Sequence, residues 1–414
     1  LGAITLKPGT CRACGAELKH TCVDLGLSPL ANSYVPAERT SEGEMFYPLH
    51  VYVCDHCFLV QLEQFETPQA IFSNYAYFSG FSTSWLRHAE NYAISMKERF
   101  ALGPRHKVIE VASNDGYLLQ YFVERGIPVL GVDPARNVAQ AAIAKGVPTE
   151  VMFFGERTAE TLREAGHAAD LMAANNVLAH VPDILDFVGG FRILLSADGI
   201  ATFEFPHLLR MIEEDQFDTI YHEHFSYLSL SVVAGVMKRK GLRVFDVEEL
   251  ETHGGSLRVF ACHEGASHRE EPSVGRVVAQ ERAANLFDVA GYAGFADRVV
   301  EIKCRALEFL IRAHDQGKVV CGYGAAAKGN TFLNYCGVGR ELVKVVADRS
   351  PHKQNTLLPG SRIPVVSPED MLALRPDYII ILPWNLRREI AGQLDGIREW
   401  GGKFVTAIPN LAVD

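Results

Sequence analysis

No stretch of this 414-residue chain approaches the roughly 18 to 20 consecutive apolar residues that cross a bilayer. The best candidate, Tyr227 to Met237, is short and broken by serines. The opening Leu1 to Leu18 also lacks a positively charged start followed by an apolar run, so no secretory leader is expected there and the cytoplasm is the expected compartment. An excess of positive charge is missing as well: 40 Lys and Arg stand against 50 Asp and Glu, a formal −10, which repels phosphate backbones and anionic lipid surfaces. Neither nucleic acid nor membrane is an expected partner. Nine cysteines, odd in number and thinly spread, argue against a secreted disulfide framework. The low-hydropathy, high-charge balance of disorder is absent too, with 48% hydrophobic and 22% charged residues. At roughly 150 residues per domain the chain holds two or three compact units.

Four cysteines do form a pattern. Cys11 and Cys14, then Cys54 and Cys57, make two C-x-x-C pairs, each able to chelate one metal from a tight turn and together able to close a tetrahedral Zn²⁺ site. Four thiolates leave no open coordination position, so such a zinc is structural; Cys22, His20 and His56 are read as bystanders. The pairs bracket a Pro- and Gly-punctuated stretch with strand-like runs such as Leu49 to Val53, which predicts a small β-rich unit over residues 1–67. It carries four positive and eight negative side chains, the wrong sign for a DNA-reading finger.

From Lys107 short β-branched runs alternate with amphipathic stretches, the pattern of βαβ units on a parallel sheet. Strands are predicted at Val108–Val111, Val129–Val132, Glu150–Phe154, Asp170–Ala174 and Ile200–Phe205. A closing pair, Arg243–Val247 and Ser256–Cys262, reverses at Thr252-His253-Gly254-Gly255. A helical stretch ends near Gly317, and a second α/β unit follows, with Val320 leading into Gly322-Tyr323-Gly324 and Lys328. The expected class is α/β: a methyltransferase-type Rossmann-like domain over 68–305 and a second Rossmann-like domain over 306–414, behind the zinc-binding unit.

Chemistry gathers at strand ends. Glu110-Val-Ala112-Ser-Asn114-Asp-Gly116 sits where the first strand turns into a helix, on the carboxyl edge where open α/β sheets bind ligands. Its glycines are too few for a dinucleotide fingerprint, since Ala112 and Asn114 occupy glycine positions. Asp133 ends the second strand, where a carboxylate can accept both hydroxyls of an adenosyl ribose; a turn-forming Asp before Pro134 is the plainer alternative. Asn175 and Asn176 end the fourth strand and can hold the methionyl part of a cofactor, while His180 alone is as readily a solvated histidine. In Tyr221-His222-Glu223-His224-Phe-Ser-Tyr227 the two histidines and Glu223 could bind metal but lack the i, i+4 histidine spacing of a helical zinc protease; a structural polar loop is the stronger alternative and acid/base chemistry the strongest. Histidine suits the latter because its ordinary pKa lies near 6.5. Tyr75 and its aromatic neighbours either pack the junction after the zinc unit or lend a phenol to the site. Tyr323, Lys328, Asn330 and Asn385 offer a diphosphate cradle and polar contacts near a predicted helix N-terminus.

In this order the zinc knuckles, the degenerate Ser-Asn-Asp-Gly turn, Tyr-His-Glu-His and the C-terminal Gly-Tyr-Gly-Ala-Ala-Ala-Lys resemble the sugar C-methyltransferases of deoxysugar biosynthesis, over nearly the whole chain. The resemblance implies S-adenosylmethionine (SAM) as cofactor and methylation at C-3′ of a nucleotide-linked, commonly dTDP-linked, 4-keto-deoxysugar that feeds antibiotic or surface-glycan sugars. It further implies an active-site set of Tyr75, His180, Tyr221, Glu223 and His224, with His224 the base and Glu223 its orienter. The middle domain is expected to hold the cofactor and the last domain the nucleotide sugar, in a protein expected to be monomeric. An O- or N-methyltransferase and a nucleotide-sugar-binding module without turnover are the rivals. Ala112 departs from the family, where a glycine is expected.

Overall fold

The computed structural model describes residues 9–69 and 78–414; Tyr75 lies outside the described residues. Among the described residues three sheets are built. In the middle one, Val108–Val111 and Val129–Val132 are buried at every position, as parallel strands covered by helices on both faces must be. The order across it is Leu242–Leu250, Ser256–His263, Leu195–Pro206, Ala169–Asn175, Val108–Val111, Val129–Val132 and Thr149–Glu150. Ser256–His263 runs antiparallel to both neighbours while the remaining pairs are parallel. The expected closing pair is therefore present, with its reversal at Thr252–Gly254. The edge strand is shorter than expected, only Thr149–Glu150 pairing, because the chain leaves the sheet for the helix Glu156–Glu164.

The C-terminal sheet centres on Val320–Tyr323, flanked in parallel by Tyr378–Ile381 and Val346–Ala347. The helix Phe295–Asp315 precedes it and stops before Gly317, whose φ of 66° breaks the turn.

The N-terminal residues do more than form a separate unit. Their sheet, His20–Ser28, Tyr47–Val53 and Val60–Leu62, is completed by Ser226–Tyr227 from the middle of the chain. Val35–Pro36 in turn pairs with Thr356–Leu357 at one edge of the C-terminal sheet, a two-residue strand ending in proline that blunts that edge against further pairing. Residues 35–36 and 60–62 thus pin the other two units from one side, and the loop between Phe217 and Tyr227 is held among all three. Among the described residues no helix is long and apolar enough to cross a membrane.

Candidate active site

The turn after Val108–Val111 takes the left-handed conformation three times, at Ala112 (φ 56°), Asn114 (φ 49°) and Gly116 (φ 75°). Left-handed backbone favours glycine, so the glycine expected at Ala112 has a conformational reason, and alanine there costs about 1 kcal/mol. Ala112→Gly should leave the melting temperature unchanged or raise it by a degree or two, strain relief slightly outweighing the added unfolded-state entropy; a marked drop in a thermal melt contradicts this.

Asp133 is buried, and its carboxylate is fixed by two backbone amides: Asn114 N donates to Oδ2 and Ala135 N to Oδ1, both at 2.8 Å. Burial pushes its carboxyl up to about 6 against those two bonds. Glu110, fully buried, is held well above the ordinary carboxylate range by desolvation, with the Tyr117 phenol opposing. The Asn175 amide is buried with neither atom hydrogen-bonded among the described residues. An ionisable acceptor at the second strand end and an unpaired amide at the fourth are the donor set that a ribose and an amino-acid tail require, so the residues present fit an adenosyl cofactor.

Across this edge lies the histidine loop. The His224 ring is buried, and its Nδ1 faces the Thr219 carbonyl at 2.7 Å, which assigns the proton to Nδ1 and leaves Nε2 as the basic nitrogen. Tyr221 lies against one side of the ring (centroids 4.0 Å) and His180 meets it edge-on (4.6 Å). Burial, reinforced by the nearby His180, holds His224 well below its ordinary pKa; burial likewise pushes His180 down to about 4. Both imidazoles are neutral at pH 7. Glu223, expected to orient the base, accepts at Oε1 from Asn32 Nδ2 at 2.7 Å, and the Thr219 carbonyl fills the orienting position at Nδ1 of His224. His222 turns away, bonding the Pro48 carbonyl at 3.1 Å between Tyr47 and Phe65.

The C-terminal unit presents Lys328 to the same space. Its Nζ donates to the His253 carbonyl (3.2 Å) and lies 4.9 Å over the Trp384 ring, whose indole nitrogen bonds buried Asp218 at 2.8 Å. Asn385 follows Trp384 and is half-buried. Two other expected contacts point inward: Tyr323 packs in the C-terminal core with Ile381 and Ile390, and Asn330 donates from Nδ2 to the Ala31 carbonyl and accepts at Oδ1 from Asn334 Nδ2. Sequence reasoning missed Asn32, Asp218 and His253, the last because it stands in what reads as a simple strand reversal.

The four knuckle cysteines converge as expected, every Sγ lying within 4.8 Å of the others. Backbone and amide N–H groups point at the sulfurs, His56 N to Cys54 (3.4 Å) and Gln61 Nε2 to Cys11 (3.2 Å), an arrangement that favours thiolate over thiol. Among the described residues no His or carboxylate joins the cluster, so the donor set is Cys₄, fitting a structural zinc.

A strand order closing on an antiparallel pair, a ligand turn at its carboxyl edge and a Cys₄ zinc-binding site define a SAM-dependent methyltransferase with an added zinc unit. Residues 11–72 match a putative zinc binding domain, 85–247 a methyltransferase domain and 251–409 a C-methyltransferase C-terminal domain. With 37% identity over 403 residues, 97% of this chain and 96% of its relative, to C-methyltransferase NovU of Streptomyces niveus, the chain belongs to the C-methyltransferase family. Solved structures resemble it more faintly. The magnesium protoporphyrin IX methyltransferase of Synechocystis with bound SAM is 12% identical, covering 43% of this chain and 79% of its own at a TM-score of 0.33. A SAM-dependent methyltransferase of Clostridium acetobutylicum is 11% identical over 44% and 92%, at 0.36. Likenesses this slight carry no weight here.

Proposed function

We propose that this C-methyltransferase methylates C-3′ of a dTDP-linked 4-keto-deoxysugar through an enolate that His224 forms. Within that class we liken it most to the enzyme of D-tetronitrose formation, on its motif order. The observation that carries the mechanism is the His224 imidazole, neutral, locked in one tautomer by Thr219 and unbonded at Nε2 among the described residues. Carbon becomes nucleophilic only after a proton beside the ketone leaves, so a positioned base is the first requirement and stabilisation of the resulting oxyanion the second. Tyr221 and His180 restrict the ring to one orientation, and Glu223, tied to Asn32, holds the N-terminal segment against the loop. Tyr75 is proposed to join them at the reacting centre.

SAM supplies, when bound, an electrophilic methyl on sulfur. Glu110, Ala112, Asn114, Gly116, Asp133 and Asn175 are the residues proposed to hold it. Lys328 and Asn385 are proposed to face the nucleotide sugar, and Tyr323 and Asn330 to act by shaping the turn that carries Lys328. Incubation with SAM and a panel of nucleotide 4-keto sugars, read by mass spectrometry and by the position of an isotopically labelled methyl, tests the reading. A methyl on oxygen or nitrogen rejects it.

Asp133 gives a quantitative check. With its carboxyl at about 6 in the free protein, the ionised acceptor is present above that pH and lost below it, so SAM affinity should fall about 10-fold between pH 7 and pH 5. Asp133→Ala should weaken SAM by about 1 to 3 kcal/mol at pH 7.5, the scale for hydrogen bonds to a charged group. Calorimetry showing equal affinity at both pH values and in the variant would reject the assignment.

A further inference from the structure

His253 carries two unfavourable features. Its φ of 56° makes it the one non-glycine in a run of three positive-φ positions that continues through Gly254 (φ 88°) and Gly255 (φ 110°). Its Nε2 is buried without a hydrogen-bond partner among the described residues. Strained backbone and unpaired buried nitrogens are each uncommon, and here they fall on one side chain.

Its surroundings are those of the reacting centre. The ring stands 5.5 Å from Trp85, which stacks on His88 (4.8 Å) and lies 6.0 Å from Tyr117 beside the cofactor turn. Trp85 is steadied through its partner: His88 Nε2 bonds Glu204 Oε2 at 2.7 Å, and Arg258 pairs with Glu204 Oε1 at 2.6 Å. On the opposite side Lys328 holds the His253 carbonyl. A Cβ on Gly254 would run into the Trp384 ring, so the reversal is pressed against the C-terminal unit. His253 therefore lies between Trp85, which leads to the cofactor turn, and Lys328, near enough to His180 and His224 to act on them electrostatically. Burial pushes its imidazole down to about 4, with Lys328 adding to the effect. It is a neutral N–H donor at pH 7.

We propose that His253 is a further catalytic residue, its Nε2–H donating to the C-4′ oxygen of the sugar as the enolate forms. The inference rests on the enolate reading given above. When the base takes the C-3′ proton, the C–H pair becomes the C-3′–C-4′ π bond and the carbonyl π pair moves onto O-4′, where the donor meets it. On methylation that pair returns, the ketone re-forms, the new bond joins C-3′ to the methyl, and the C–S pair stays on sulfur. A donor fixed in a buried site before charge develops is worth most in the transition state and little in the ground state.

The test uses His253→Asn and His253→Gly, both of which accept left-handed backbone and so keep the turn. Two quantities are read in full-length protein: turnover, and exchange of the C-3′ proton of dTDP-4-keto-6-deoxyglucose with D₂O in the presence of S-adenosylhomocysteine. In both variants turnover and exchange should fall about 10²-fold, with SAM affinity and sugar KM within about threefold of wild type. Exchange and turnover at wild-type rates in either variant overturn the role of His253 and leave the enolate standing. Absence of exchange in the wild-type protein overturns both.

Discussion

Replacing His224 by Asn should reduce turnover at least about 10²-fold, the lower range for removal of a general base, while SAM and dTDP still bind. Asn is the informative substitution because its amide can keep a donor toward the Thr219 carbonyl, the bond that fixes this segment, while removing the basic nitrogen. His222→Asn is the control. That ring faces Tyr47, Phe65 and the Pro48 carbonyl, so its loss should cost packing and leave turnover near normal. If His222→Asn abolishes turnover without unfolding and His224→Asn does not, the base is misassigned. The pH dependence has a definite sign. A histidine held below its ordinary pKa stays in its proton-accepting form as pH falls through 6.5, so with SAM saturating, kcat/KM for the sugar should be flat from pH 7.5 to 6.5. An acid limb centred near 6.5 would mean that the base is an unperturbed histidine.

The double substitution Cys11→Ser with Cys54→Ser should abolish zinc binding, lower stability by several kcal/mol and remove most turnover. Zinc held by four thiolates contributes directly to folding, with apparent binding free energies of about 10 to 16 kcal/mol in zinc-finger peptides. The path to activity is short. Gln61 touches the Cys11 sulfur and pairs with Ser226, and Leu62 N bonds the Phe225 carbonyl at 3.1 Å, so the strand beside the knuckles also anchors the residues directly after His224. Wild-type protein should hold one zinc per chain. Metal analysis well below that, or a double variant with unchanged melting temperature and turnover, contradicts the structural role.

Those two effects also mark what was legible in the sequence. The cysteine spacing, the βα alternation and the closing strand pair were readable because each rests on local pattern: chelate turns, β-branched runs, a Gly-Gly reversal. What escaped was set by partners distant in the chain. Val35–Pro36 and Ser226–Tyr227 carry no mark of the foreign sheets they complete, since two-residue strands have no period to read. Glu223 adjoins His224 in sequence yet bonds Asn32, while the group that orients His224 is a main-chain carbonyl, to which side-chain chemistry is blind. Asn330 and Tyr323 looked like ligand contacts because they flank a glycine turn; burial turned both inward. His253 was hidden in the opposite way, its position in a reversal disguising a side chain set between two units.

The most direct test of the mechanism is C-3′ proton exchange. The wild-type protein and His224→Asn are each incubated in D₂O with a dTDP-linked 4-keto sugar and S-adenosylhomocysteine, and deuterium at C-3′ is followed by NMR. Deuterium should enter with the wild-type protein and stay at the buffer rate with the variant. The same rate in both proteins, fast or nil, would contradict an enolate made by His224.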